Sequence, residues 1–84
     1  MKKETTRQFR KPSQAILLRL ADNLKTLRKA RGYTQKRLAQ RTGFTKNYIA
    51  NIEQATLNTS LATLETLAEG LECFEEDLLR RRAP

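Results

Sequence analysis

The sequence has 84 residues, enough for one domain with a modest core, and it carries 17 Lys and Arg against nine Asp and Glu. It has no His and a single Cys, which excludes an internal disulfide and argues against a metal site of Cys and His ligands. No apolar run approaches the ~18 residues of a membrane span, and no signal sequence is recognisable, so we expect a reduced, cytoplasmic protein without membrane contact. Without a His, a glycine-rich phosphate loop or a nucleophile paired with a base, we predict that it is not an enzyme and needs no cofactor.

The charge is divided unevenly along the chain. Residues 1–50 contain 14 basic and two acidic side chains, whereas residues 51–84 contain three basic and seven acidic ones. Charge that serves solubility alone need not separate in this way. The separation therefore predicts one basic face and a polyanionic partner.

The first helix is predicted to follow a polar, basic arm over residues 1–12, which holds too little apolar surface to order itself. Ser13 is a typical N-cap, and Gly32 is a typical C-terminal stop after several basic residues. Between them apolar residues recur at three- and four-residue spacing, which indicates an amphipathic helix: Ile16, Leu17, Leu20, Leu24 and Leu27.

Two short helices are predicted next. Thr34 can cap a helix that runs to about Arg41, and Gly43 breaks it. Thr45 can cap a third helix, which carries Tyr48, Ile49 and Ile52.

The last two helices complete the prediction. Ser60 is placed to cap a fourth helix with an apolar stripe through Leu71. Acidic residues 75–77 begin a short fifth helix, and Arg80–Arg82 follow its end, as the helix dipole favours. We therefore expect an all-α domain of five helices over residues 13–84.

The second and third helices have the spacing of a helix-turn-helix. Close packing of two such helices requires a small residue where they cross, a glycine at the turn and branched apolar residues on the inner face of the second helix. Ala39, Gly43, Ile49 and Ile52 meet these requirements.

The stretch LKTLRKARGYTQKRLAQRTGFTKNYIANIEQ, residues 24–54, resembles the lambda-repressor and Cro type of helix-turn-helix domain, the XRE family. The resemblance continues through NTSLATLETLAEGL at 58–71 and covers about residues 16–79. Within that family, the step Gly70-Leu71-Glu72 resembles the controller proteins of restriction-modification systems. The resemblance implies a homodimeric transcriptional regulator that binds double-stranded DNA with its third helix, about residues 45–54, in the major groove.

The resemblance also implies roles for individual residues. Base contacts would come from Thr45, Lys46, Asn47 and Asn51, because Asn can pair with adenine and Lys can donate to guanine. Contacts to the DNA backbone would come from the following residues: Gln35, Lys36, Arg37 and Tyr48. Gln35 would also brace the third helix.

A structural ion pair between Arg28 and Glu53 is a further implication, tying the first helix to the end of the third. The sequence departs from the family at Arg37, where Glu often completes a capping box. It departs again at residues 55–57, where a glycine and basic residues are usual.

The fifth helix is the predicted dimer interface. Phe74 occupies a position that is usually polar, and together with Leu78 and Leu79 it could form an exposed apolar patch. Cys73 stands where the family has a buried Val, so we expect a small core residue.

Two other functions fit the same residues. The chain could be an antitoxin that binds a partner toxin through the arm or the fifth helix and regulates its own operon. It could also be an architectural binder without sequence preference, although nonspecific binders need charge more than the amides of Asn47 and Asn51.

Overall fold

The computed structural model describes residues 11–82, and most of the predicted basic arm, residues 1–10, lies outside the described residues, as do residues 83–84. The described chain forms five helices and contains no strand, so the predicted all-α fold is confirmed. The helices are α1 (Gln14–Ala30), α2 (Gln35–Thr42), α3 (Lys46–Glu53), α4 (Leu61–Leu71) and α5 (Glu75–Leu79). None of the described helices is long and apolar enough to cross a membrane.

Four of the five helices begin at a hydroxyl side chain that caps the backbone. In each, the side-chain oxygen accepts a hydrogen bond from the N–H three residues on, at 3.0–3.3 Å: Ser13, Thr34, Thr45 and Ser60. Helix α5 begins differently, since the carboxylate of Asp77 accepts from the backbone N–H of Phe74 at 2.9 Å. The predicted N-caps are therefore confirmed.

Left-handed backbone ends several of the helices. Gly43 follows α2 with φ 82°, and Gly32 follows α1 with φ 76°, one residue beyond the C-cap at Arg31. Ala55 and Glu72 adopt φ 61° and 56° without being glycine. Such a conformation costs an L-residue about 1–2 kcal/mol, so the rest of the fold holds these two positions in place.

One apolar core joins the helices, and α5 contributes to it. Leu78 is fully buried there, which corrects its predicted place in an exposed dimer patch. The reason is that α5 packs against α1 and turns Leu78 inward. Leu79 is half-buried against the same core, and only Phe74 of the predicted patch is strongly exposed, at 71%. Cys73 is half-buried and packs against the core.

Helices α2 and α4 cross closely at Gly70. A Cβ atom at this position would lie 2.6 Å from the Cγ2 atom of Thr42, closer than real Cβ contacts allow. The Thr42 hydroxyl donates to the carbonyl of Leu38 at 2.9 Å, and the Arg41 Nε donates to the carbonyl of Gly70 at 2.7 Å. Because Gly70 has no side chain, α2 can approach α4 closely at this point.

A buried amide holds the C-terminal residues against α1. Asn23 is 2% exposed, and its Nδ2 donates to the carbonyls of Leu78 at 3.0 Å and Arg80 at 2.9 Å. Its Oδ1 accepts from the Nε of Arg82 at 2.7 Å. Asn23 follows Leu20 by three residues on the apolar face of α1, and a polar residue at such a position was the signal that the sequence interpretation missed.

Candidate nucleic-acid interface

Helix α3 presents one buried face and one polar face. Ile49, Ile52 and Glu53 are buried, whereas Lys46 and Asn47 are exposed and Asn51 is half-buried. Residues 47 and 51 are four apart, so they lie on the same side of the helix. The structure therefore places Asn47 and Asn51 on one side of α3, with Lys46 exposed beside them at the start of the helix and Thr45 at its N-cap.

A buried polar cluster fixes α3 against α1 and α2. The guanidinium of Arg28 meets the carboxylate of Glu53 through two bonds, Nε to Oε2 at 2.7 Å and Nη2 to Oε1 at 3.1 Å. Arg28 also donates to the carbonyl of Tyr33 at 2.8 Å, and the Nε2 of Gln35 donates to Glu53 at 3.0 Å. Arg28 and Glu53 are 8% and 6% exposed, so solvent screens this pair weakly.

The N-terminus of α2 carries exposed cations. Lys36 and Arg37 are both exposed, and the hydroxyl of Thr34 accepts from the N–H of Arg37. The first N–H groups of any helix lack an intrahelical acceptor and attract anions such as phosphate. Arg37, which departs from the usual capping-box Glu, therefore adds positive charge where the backbone already favours an anion.

Thr45 and Tyr48, like Gln35, are predicted contact residues whose side chains are already partly engaged within the chain. The Thr45 hydroxyl caps α3, and this bond still leaves its proton free to donate. Tyr48 is half-buried, with its hydroxyl 3.1 Å from the hydroxyl of Thr63 and its ring edge-on to Phe44 at 4.9 Å. Tyr48 therefore combines a packing role with any contact that its hydroxyl makes outside the chain.

The loop after α3 closes back onto that helix. The hydroxyl of Thr56 donates to the carbonyl of Asn51 at 2.9 Å, and Ala55 is buried in the left-handed conformation that glycine adopts most readily. Leu57 packs against the core. These residues support the end of α3 without adding basic groups to the interface.

No group of three or more potential metal ligands occurs among residues 11–82. Burial raises the pKa of the Cys73 thiol, and the nearby carboxylate of Asp77 raises it further. Residues 11–82 thus offer exposed amides and cations on a braced helix, which is a surface for recognising polyanions.

Comparison with known protein families identifies the domain. A family described as a helix-turn-helix domain matches residues 19–81. The immunity repressor protein of Bacillus phage phi105 is 38% identical over 52 residues, 62% of this chain, but that match spans only 36% of the phage protein. Control protein C.SmaI of Serratia marcescens is 33% identical over 63 residues, which cover 75% of each chain.

Solved structures show the same similarity. The restriction-modification controller protein C.AhdI from Aeromonas hydrophila superposes with a TM-score of 0.73 at 31% identity, covering 76% of this chain and 97% of that one. The controller protein C.Esp1396I, solved as a tetramer with its natural 35 base-pair operator, has a TM-score of 0.70 at 28% identity. The match covers 75% of this chain and 83% of that one. The chain belongs to the helix-turn-helix domain family.

Proposed function

We propose that this chain is a sequence-specific DNA-binding transcriptional regulator that acts in the cytoplasm as a homodimer, without enzymatic activity. The observation that carries the proposal is the polar face of α3, where Asn47 and Asn51 share one side and Lys46 is exposed at the helix start, on a helix braced by Arg28 and Glu53. A rigid helix that presents amides and a cation suits the major groove, where these groups distinguish bases.

The surrounding charge supports the same function. Lys36 and Arg37 flank the interface at the start of α2, and the basic half of the sequence includes the whole of α2 and the start of α3. Phosphate contacts from these cations would supply most of the affinity and set the register, while α3 supplies the sequence preference.

The relatives narrow the class of regulator. Three proteins that resemble this chain over most of their own length, C.SmaI, C.AhdI and C.Esp1396I, are named as control or controller proteins, and C.Esp1396I was solved on its operator. We propose a regulator of that kind, which binds a pseudo-palindrome with half-site centres about 34 Å apart. None of the named relatives is a toxin partner, so the regulator is preferred to the antitoxin.

Selection of bound sequences from a randomised duplex pool, at about 150 mM salt, tests the proposal. We expect an enriched pseudo-palindrome whose half-sites are one helical turn apart. Binding to every duplex without enrichment would contradict sequence-specific recognition and favour the architectural binder. Enrichment of a single half-site alone would contradict the dimer.

Replacing Asn51 by Ala is expected to weaken binding to the selected sequence roughly 5- to 150-fold, because one bidentate base contact contributes about 1–3 kcal/mol. Binding to unrelated duplexes should change little, since phosphate contacts dominate it. Fluorescence anisotropy on both duplexes measures the two affinities. Gln14→Ala, which removes an exposed amide from the start of α1, is the matched control. An equal loss on all sequences would contradict a base-reading role for Asn51.

A further inference from the structure

A second basic surface lies at the N-terminal end of α1, apart from the cations of α2. Three side chains from distant parts of the sequence line one hollow there: Lys11, which precedes α1, Arg19 within α1, and Arg81, which follows α5. Arg19 also borders the neighbouring hollow, together with Arg82. These four cations form a continuous surface, the α1 basic patch.

Few carboxylates lie near this patch within the part of the chain that the structure describes. No Asp or Glu lines the hollow shared by Lys11, Arg19 and Arg81, and Asp22 borders only the neighbouring one. Four other arginines form salt bridges among residues 11–82, whereas none of the patch cations does. The first turn of α1 carries no acidic residue, and its free N–H groups add positive potential at the same place. The patch is therefore a concentration of positive charge that the described chain leaves without a counter-charge.

A buried amide holds the arginines in this position. Asn23 donates to the carbonyl of Arg80 and accepts from the Nε of Arg82, which fixes the segment on either side of Arg81 against α1. The dipole of α5 does not account for this placement, because it favours cations only within the last turn of a helix. Gathering like charges is unfavourable by itself and becomes favourable when an anion binds between them. The arrangement thus points to an anionic ligand.

The patch lies close to the recognition helix along the chain. Arg19 is about 14 Å along α1 from Arg28, which is bonded to Glu53 at the end of α3. Asn58 is exposed and lines the same hollow as Arg19, and it follows Glu53 by five residues, at most ~17 Å of extended chain. One turn of a duplex in contact with α3 extends over about 34 Å. Phosphates next to the base pairs that α3 contacts are therefore within the range of the patch.

We infer that the α1 basic patch binds the sugar–phosphate backbone of the duplex that α3 reads, and that Asn23 is the residue that positions Arg81 and Arg82 for this contact. The inference deepens the proposed function and rests on it for the DNA ligand. Phosphate contacts carry no sequence information, so the patch adds affinity equally on every duplex and leaves the sequence preference to α3.

The salt dependence of DNA binding tests the inference. Lys11→Gln combined with Arg81→Gln removes two exposed cations, and neither side chain makes a hydrogen bond to another described residue. Each phosphate contact contributes about 0.9 to the slope of log K against log salt concentration, so the slope should become shallower by ~1.8 for each protomer bound. Fluorescence anisotropy over a salt series should show the same change on the selected duplex and on an unrelated one.

The matched control keeps the charge at both positions. Lys11→Arg combined with Arg81→Lys should retain the slope of the unmodified chain, because phosphate attracts either cation. An unchanged slope in the Gln variant, or an equal reduction in the charge-keeping variant, would overturn the phosphate contact. The Gln variant should still select the same duplex sequence as the unmodified chain. Loss of enrichment by the unmodified chain would instead contradict the proposed function, so the two failures are distinguishable.

The role of Asn23 requires its own comparison. Asn23→Ala, studied where circular dichroism shows the chain folded, should also make the slope shallower, because Arg81 and Arg82 are then no longer held on α1. Adding Asn23→Ala to a chain that already carries Arg81→Gln and Arg82→Gln should change the slope no further, since the effect acts through those arginines. If Asn23→Ala lowers the stability but leaves the slope of an otherwise unmodified chain intact, Asn23 is structural only and its positioning role is overturned.

Discussion

The C-terminal end of α1 is closed by buried polar contacts, whereas its N-terminal end borders an open apolar groove. At the first end Arg28 bonds to Glu53 and to the carbonyl of Tyr33. About 18 Å away along the helix, Ile16 lines a groove that the described chain leaves unfilled. One helix therefore borders two different environments, a buried polar cluster that fixes α3 and an exposed apolar surface.

The physical difference lies in what each end requires. A buried charge must have its partner in place, because removing it from water is costly unless it is paired and hydrogen-bonded. Apolar groups tolerate exposure until a second surface arrives, and burying them then drives association. The contrast predicts that changes at the C-terminal end affect folding, while changes at the N-terminal end affect assembly.

The largest expected effect on stability comes from Glu53→Ala. It leaves the Arg28 guanidinium buried without a carboxylate, so the free energy of unfolding should fall by about 3–5 kcal/mol. Urea denaturation followed by circular dichroism measures this change. Glu72→Ala removes an exposed carboxylate 3.8 Å from Arg31 and should cost less than about 1 kcal/mol. If the two variants lost similar stability, the cluster at Arg28 would not brace the fold.

A smaller effect is expected from Asn23→Ala, near the middle of α1. The change leaves the buried carbonyl of Leu78 and that of Arg80 without this donor, and it should cost about 1–3 kcal/mol in the free energy of unfolding. Thr26→Ala, at an exposed position one turn away, should change stability by no more than about 0.5 kcal/mol. Equal values for the two variants would show that Asn23 does not hold the C-terminal residues in place.

The smallest effect concerns the thiol of Cys73, near Arg31 at the closed end of α1. Its raised pKa lowers the thiolate fraction near neutral pH, and the thiolate is the reactive form. Iodoacetamide should therefore alkylate the folded chain more slowly than the chain unfolded in guanidinium at the same pH. The difference should narrow as the pH rises above the pKa of the folded chain. Equal rates near neutral pH would mean that this end of the molecule is open to solvent.

Much of the local structure could be predicted from the sequence. Ser13, Thr34, Thr45 and Ser60 cap helices through bonds to backbone only three residues away, so the nearby sequence is sufficient to recognise them. The left-handed turn at Gly43 is equally local. Resemblance to the family, in contrast, is what assigns the polar residues of α3 to the side that faces DNA.

Only the tertiary structure decided which apolar side chains are buried and which polar groups find hydrogen-bond partners within the chain. Leu78 belongs to the core because α5 folds back on α1, and Asn23 finds partners 55 and 57 residues away. Gly70 is needed because Thr42 of another helix occupies the space of its side chain. Hydrophobic periodicity shows which face of each helix is apolar, and capping residues mark where the helix begins and ends. Which other helix covers that apolar face depends on how distant segments of the chain pack. The sequence therefore determined the helices and the recognition face, while packing determined which apolar residues are buried and which remain at the surface.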